Sequence, residues 1–281
     1  MVKTNNNFTG LMIALLISLL FSRLSYWQWN RYKEKLSLIS TLQARIKESP
    51  LELKNISANT ADFQNLIYRR VVLEGVFKPE YSMVVRNRRY KNISGVLSLI
   101  PFQIAETSQI VLVSRGFIPL EYSNAKMRKK FDPDKSLTKD LIGIVKESSY
   151  QKLFAPSDPE SGINKPWIDA WLRVDLKNIQ KQLPFKILPF YIELLEPNTS
   201  AELLVEQMIK KNSEKHEMLS LAGHRAVYND SYSDLNFPTP LPDTYVSAGR
   251  HFEYVIEWAV MGLGVLGAAI FFQFRKGRLY K

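Results

Sequence analysis

The sequence predicts a membrane-anchored α+β protein: two terminal transmembrane helices flank a mainly antiparallel β domain, a small sheet or barrel, with a few helices. Two observations carry this reading. One apolar block opens the chain, from Phe8 to Trp29, and another closes it, from His251 to Phe274. Each matches the roughly 20 residues that cross a hydrocarbon core. Between them lie about 220 residues of ordinary globular composition, enough for one sizeable domain. Their strongest pattern is short β-branched and aromatic runs separated by turn residues. The chain therefore divides into a first span (Phe8–Trp29), an extracytoplasmic domain (Asn30–Arg250), a second span (His251–Phe274) and a basic tail (Arg275–Lys281).

The first block has the apolar core of a signal peptide, Leu11 to Phe21, but Ser22, Arg23, Leu24 and Ser25 follow it with no small-x-small cleavage site. It reads as an uncleaved anchor. Arg23 lies inside the span, at a cost of roughly 2.5–3.5 kcal/mol on insertion scales, so it must snorkel outward or face another helix. Tyr26, Trp27 and Trp29 form an aromatic belt at the exit. The second span stops on Arg275, Lys276, Arg278 and Lys281. Positive residues beside short tails stay in the cytoplasm, which places both termini there and the domain in the periplasm. The N-terminus, with Lys3 and Asn5 to Asn7, is not an Arg-rich transit peptide. The expected location is the bacterial inner membrane.

Within the domain a helix is expected over Arg31–Ser49, where Leu36, Ile39, Leu42 and Ile46 recur at helical spacing, and Pro50 ends it. Strands are expected at Tyr68–Phe77, Tyr81–Tyr90, Val96–Ala105, Gln109–Leu120, Leu141–Ser148 and Phe185–Glu196. Gly75 marks a bulge or a close approach. Helical patches are expected at Leu176–Leu183 and Ser200–Leu219, and an extended loop from Tyr228 to Asp243.

Composition excludes much chemistry. The chain has no cysteine, which removes disulfides and thiolate metal sites. Part of the net charge of +11 sits beside the spans, and the rest suits anionic lipid; nucleic acid is not an expected partner of a tethered extracytoplasmic domain. There is no nucleophile elbow and no phosphate-cradling loop, and the expectation is a non-enzyme. His216 and His224 read as surface histidines, Arg86–Lys91 as a charged strand edge, and Gly264 with Ala268 as a weak helix-packing pair.

The second span opens oddly for a lipid-facing helix. His251, Tyr254 and Trp258 fall at i, i+3 and i+7 on one face. Trp27 and Arg31 stand at i and i+4 where the first span leaves the same membrane surface. The set reads in two ways. It is an interfacial anchor, or it holds a planar amphiphile, with imidazole on a haem iron, the rings on the macrocycle and guanidinium on a propionate. Glu257 would then pair with Arg23 or Arg31.

Several segments, in order, resemble the surfeit locus protein 1 family of cytochrome c oxidase assembly factors (Shy-type in yeast). Trp27, Gln28, Arg31 and Lys35 match its W-Q-x-x-R-x-x-K; VLVSRGFIPL matches its R-G-W-x-P strand; His251, Tyr254 and Trp258 match its H-x-x-Y-x-x-x-W. The chain departs from the family at Val96, Ile100, Phe117, Gly249 and Arg250. The resemblance implies a chaperone-like role in respiratory-chain biogenesis, with haem a bound through His251 and delivered to oxidase subunit I. The implied partners are subunit I, haem a synthase and membrane lipid. Two alternatives stand beside it: an assembly scaffold for subunit I that binds no haem, and a two-span polysaccharide length regulator, whose domain would be helix-rich.

Overall fold

The structure, a computed structural model, describes residues 6–55, 63–90, 93–151, 153–206, 236–241 and 248–279. These fall into two compact units. One holds the N-terminal helix as far as Leu42 together with the residues from Ala248 onward; the other holds Gln43–Glu206 with 236–241.

The first unit is helical. The N-terminal helix runs without a break over Asn6–Lys47, and the C-terminal helix over Gly249–Leu279. The expected helix over Arg31–Ser49 is therefore the continuation of the first span. Both helices contain segments long and apolar enough to cross a membrane. Leu16 and Leu20 are 60% and 57% exposed, and Leu263 and Phe271 71% and 60%. A core helix of a water-soluble fold would bury such side chains, so these surfaces call for lipid.

The second unit is built on eight strands: β1 (Leu51–Glu52), β2 (Arg70–Phe77), β3 (Met83–Tyr90), β4 (Ile93–Ile104), β5 (Ile110–Pro119), β6 (Thr138–Glu147), β7 (Ala170–Trp171) and β8 (Phe190–Leu194). Their order in the sheet is β1-β2-β6-β8-β5-β4-β3-β7. The sheet is mixed. Its longer ladders are antiparallel, while β1–β2, β3–β7 and β5–β8 are parallel. The sheet also curls: Gly75–Phe77 at the end of β2 pair with Phe102–Ile104 of β4, yet β2 pairs β6 along most of its length. This curl stops short of a regular barrel.

Strand alternation divides the core in two. Val111 and Val113 of β5 join Val71, Leu73, Ile100, Phe102 and Ile192 on one face. Leu112 and Phe117 of the same strand join Met83, Leu99, Trp171 and Ile179 on the other. A strand buried on both faces reads as a continuous apolar run, as Ile110–Val113 does. Each Leu, Ile or Phe so buried contributes about 1.5–3 kcal/mol.

Gly75 sits at a register shift in the β2–β6 ladder, and a Cβ there would lie 2.0 Å from the Gln103 carbonyl oxygen. Both expectations for it, bulge and close approach, hold. Gly116 has φ +134°, and Thr239 closes against it: Phe117 N–H donates to Thr239 O at 2.7 Å, and Thr239 N–H donates back at 3.0 Å. The returning segment 236–241 is thus pinned to β5 beside the R-G-F-x-P motif. The tail of the N-terminal helix is held by paired arginines. Arg70 Nε donates to Ile46 O at 2.8 Å, and Arg45 Nη1 donates to Ile67 O at 2.7 Å. The first of these satisfies a carbonyl that the helix end leaves open.

One buried polar cluster braces the β3 side. Arg128, 2% exposed, forks onto both oxygens of Asp169 and also donates to the backbone oxygens of Ser82 and Ser123. Burial lifts the Asp132 carboxyl above its ordinary range despite the nearby Arg128 and Arg115 guanidiniums and a hydrogen bond to Ser82.

Among the other expectations, the Leu176–Leu183 helix is present over Leu176–Gln180. Residues 201–206 are helical, while the rest of Ser200–Leu219, His216 and His224, and most of the Tyr228–Asp243 tract lie outside the described residues. Strands β1 and β7 were not expected.

Candidate functional site

The site is the pairing of the two apolar helices. Four contacts define it. Ser18 and Phe21 pack on Gly262, where a Cβ would meet the Phe21 Cβ at 3.3 Å. The Phe21 and Trp258 rings lie 5.6 Å apart. Ser25 Oγ donates to Val255 O at 2.9 Å. His251 Nδ1 lies 2.8 Å from Gln28 Oε1. Partner positions rise along one helix as they fall along the other, so the helices are antiparallel. Residues 18, 21, 25 and 28 step by three, four and three; 251, 255, 258 and 262 step by four, three and four. This is the spacing of a seam between two supercoiled helices. Small residues, Ser18 and Gly262, allow close approach at its deeper end. Tyr32 and Phe252 extend it with rings 5.3 Å apart, and Trp29 stacks on Tyr32 at 5.6 Å.

The His251 contact has a chemical consequence. Gln28 is buried, 8% exposed, and its Oε1 can only accept. Nδ1 of His251 therefore carries the proton, and the lone pair stays on Nε2. An imidazole whose Nδ1–H is fixed by an acceptor is oriented as a metal ligand.

The expected site residues separate into two groups. His251 and Trp258 face the N-terminal helix through Gln28 and Phe21. Tyr254, 41% exposed, and Trp27, 50% exposed, remain largely open. Arg31 lies 6.0 Å from the Trp27 ring and forms an ion pair with Glu34 at 2.8 Å. It is not paired with Glu257, nor is Arg23, whose guanidinium lies 5.9 Å from the Tyr26 ring. Gly264 of the Gly264/Ala268 pair takes no part in the pairing of the two helices. A Cβ on Gly264 would meet nothing within 4 Å, and the packing glycine is Gly262. Two positions are about 200° around a helix, so Gly264 points away from the seam.

Ser18, Phe21, Ser25, Gln28, Val255 and Gly262 are the seam residues that the sequence reading did not place in the site. Gln28 lay within the quoted W-Q-x-x-R segment. The signal that finds it is the alternating three–four spacing from Ser18 to Gln28 together with its mirror from His251 to Gly262. Among the described residues no cluster of three or more His, Asp or Glu could hold a metal ion.

Two terminal helices of membrane-spanning length and apolarity, with a curled mixed sheet encoded between them, define the class: a domain protein anchored at both ends. The SURF1 family model matches residues 15–263. The chain belongs to the SURF1 family. It is 31% identical over 173 residues to a SURF1-like protein of Monosiga brevicollis, covering 58% of this chain and 64% of that protein. It is also 31% identical over 180 residues to human surfeit locus protein 1, covering 59% and 56%. A SURF1-like protein of Rickettsia felis is 25% identical over 186 residues, covering 66% and 74%. The chain thus spans 64% and 56% of the lengths of the first two relatives.

The departures from the family pattern fall into place. Val96, Ile100 and Phe117 are buried in the sheet domain, Ile100 and Phe117 completely. They refill its core with apolar side chains. Gly249 and Arg250 begin the C-terminal helix.

Proposed function

We propose that this protein is a cytochrome c oxidase assembly factor of the bacterial inner membrane that binds haem a at its helix pair and assists insertion of the haem into subunit I. Both termini are cytoplasmic in this reading and the sheet domain is periplasmic. The antiparallel helices support it, because an even pair of crossings returns the chain to its starting side. The protein acts by holding and presenting rather than by catalysis, with subunit I, haem a synthase and membrane lipid as its partners.

The observation that carries the proposal is the hydrogen bond from His251 Nδ1 to the buried Gln28 amide oxygen at 2.8 Å. It leaves Nε2 as an iron ligand of fixed direction. Trp27 and Tyr254 offer half-open rings to a planar macrocycle, and Arg31 offers a guanidinium to a propionate once it gives up Glu34. The haem would bring the redox-active iron, and His251 Nε2 with the Trp27 and Tyr254 rings would hold it.

A second reading keeps a specific observation. His251 and Trp258 are already engaged in helix packing, as they would be in a scaffold for subunit I that binds no haem. The polysaccharide-regulator reading is set aside, because the domain between the helices is built on strands and the family is a different one. One experiment separates the other two. The chain is co-expressed with a haem a synthesis system and purified, and its a-type haem is measured by pyridine haemochrome spectroscopy. Haem in the wild type and its loss in His251→Ala support the proposal. Equal haem in both, or none in either, with oxidase assembly still dependent on the protein, supports the scaffold.

A further inference from the structure

The connection from Ser148 to Asp169, between β6 and β7, holds no helix or strand among the described residues. Loops of more than about 12–15 residues without secondary structure are uncommon in a compact domain, and those that are well fixed usually carry function. This one is fixed at several points. Asp158 Oδ1 accepts from Leu172 N–H, and its other oxygen lies 3.2 Å from the Arg173 guanidinium, which also donates to Pro156 O. Ser161 Oγ donates to Asn178 O at 2.6 Å. Gln151 Nε2 donates to Ala155 O at 2.9 Å and so closes the turn that contains Leu153 and Phe154.

The tip held this way is apolar and bare. Leu153 is 85% exposed and Phe154 97%, and Tyr150, Ile163 and Trp167 of the same loop are exposed too. One exposed apolar residue is ordinary, but an adjacent leucine and phenylalanine held clear of the domain are not. Phe154 also has φ +63°, the left-handed region that an aromatic residue seldom takes. Neither the exposure nor the conformation helps the domain to fold, and both point to a contact outside it. The tail of the N-terminal helix and the root of the loop lie at one end of the β2–β6 ladder. Ile46 O accepts from Arg70 at 2.8 Å, Arg70 opposes Ile144, and Tyr68 N–H donates to Val145 O at 2.8 Å, just before β6 ends at Glu147. The chain thus comes to this end of the domain from its first apolar, membrane-length segment.

We propose that this loop is a peripheral membrane contact of the sheet domain, in which Leu153 and Phe154 insert at the boundary between the headgroups and acyl chains of a phospholipid bilayer. A protein partner would need a pocket shaped for the tip, whereas a bilayer accepts any apolar protrusion. The residue types suit the same boundary: leucine and phenylalanine at the tip, and Tyr150 and Trp167, whose rings have one polar end, on its flanks. All three carboxylates of the loop are ion-paired, Asp158 with Arg173, Glu160 with Lys165 and Asp169 with Arg128, so the loop brings no bare negative charge to an anionic surface. The proposal rests on membrane anchoring and is independent of haem binding.

The test uses the full-length chain in phosphatidylcholine nanodiscs. The chain has no cysteine, so Ser157→Cys carries a single polarity-sensitive fluorophore beside the intact tip. The expected result is blue-shifted emission, and loss of more than half of it when the nanodiscs contain nitroxide-labelled phosphatidylcholine. Adding Leu153→Gln/Phe154→Gln removes the shift and most of the quenching and leaves the urea midpoint of the domain unchanged, because both side chains are exposed. The same fluorophore at Ser136→Cys, beside the exposed Leu137 of another loop, stays unquenched. The proposal is overturned if the Ser157 label in incorporated protein is neither shifted nor quenched, if the glutamine variant is quenched as strongly as its parent, or if the Ser136 label is quenched as strongly as the Ser157 one. A Ser157 label that lipid nitroxides do not reach, but that native membrane vesicles shield from aqueous iodide, is covered by protein, and that result also overturns it. A chain that does not incorporate into nanodiscs at all overturns the anchoring, and this proposal with it.

Discussion

His251 Nδ1 and Gln28 Oε1 meet at 2.8 Å across 223 positions of sequence. This bond sets the tautomer of the one histidine in the helix pair, and Gln28→Leu is the sharpest probe of it. The variant keeps the size of the side chain and removes the acceptor. A lost outer partner typically lowers metal affinity 10–100-fold. Under the haem reading, Gln28→Leu retains one tenth or less of the a-type haem of the wild type, read by the same haemochrome assay, while Gln28→Glu retains most of it. Equal haem in wild type and Gln28→Leu would show that the ring is fixed by other means.

The seam predicts an asymmetry between two glycines. Gly262→Ile places new atoms against Phe21, whereas Gly264→Ile projects into open space. Because the chain has no cysteine, Ser25→Cys with Val255→Cys makes a clean reporter. These positions are already joined by the Ser25 hydroxyl bond to Val255 O. The pair should cross-link readily in the parent and in Gly264→Ile, and poorly in Gly262→Ile. Equal cross-linking in the two isoleucine variants would count against the seam.

Much of this was legible in the sequence, and the rest failed for identifiable reasons. Strands β2 to β6 and β8 announce themselves through β-branched runs with turn residues between them. β1 and β7 have two residues each, and two residues carry no periodicity. His251 and Trp258 are visible as one helical face, and Trp27 and Arg31 stand out by residue type at the same membrane surface. The phase of the pairing is harder to read: Gln28 and Phe21 meet that face, and Trp27 and Arg31 lie beside it. The role of Arg128 was invisible, because its carboxylate partner Asp169 lies 41 residues away.

The Arg128–Asp169 pair predicts unequal losses. Asp169→Ala leaves a guanidinium at 3% side-chain exposure without its counter-charge, at a cost of about 3–5 kcal/mol. Arg128→Met leaves a carboxylate that is 34% exposed and can take up water, so it costs less, about 1–3 kcal/mol. The double variant is milder than the sum of the two. Urea denaturation followed by tryptophan fluorescence gives all three values, and additive losses would mean that the pair is not coupled.

Asp132 predicts a pH dependence. Burial raises its carboxyl above the ordinary value of 3.8 in the folded state, so the folded protein binds the proton more tightly than the unfolded chain. Its contribution is present below that ordinary value and is lost as pH rises through the raised folded one. Asp132→Asn removes this component. The stability difference, wild type minus variant, should therefore fall as pH climbs from below 3.8 through the raised folded value, measured as urea midpoints. A flat or rising difference contradicts the assignment.

The long separation between Gln28 and His251 also sets an order of events during synthesis. The ribosome makes the first helix of the seam before the sheet domain and the second after it. The histidine meets its glutamine only once the domain between them has been made. A product halted inside the domain carries one side of the seam alone, so under the haem reading it could not yet hold its cargo.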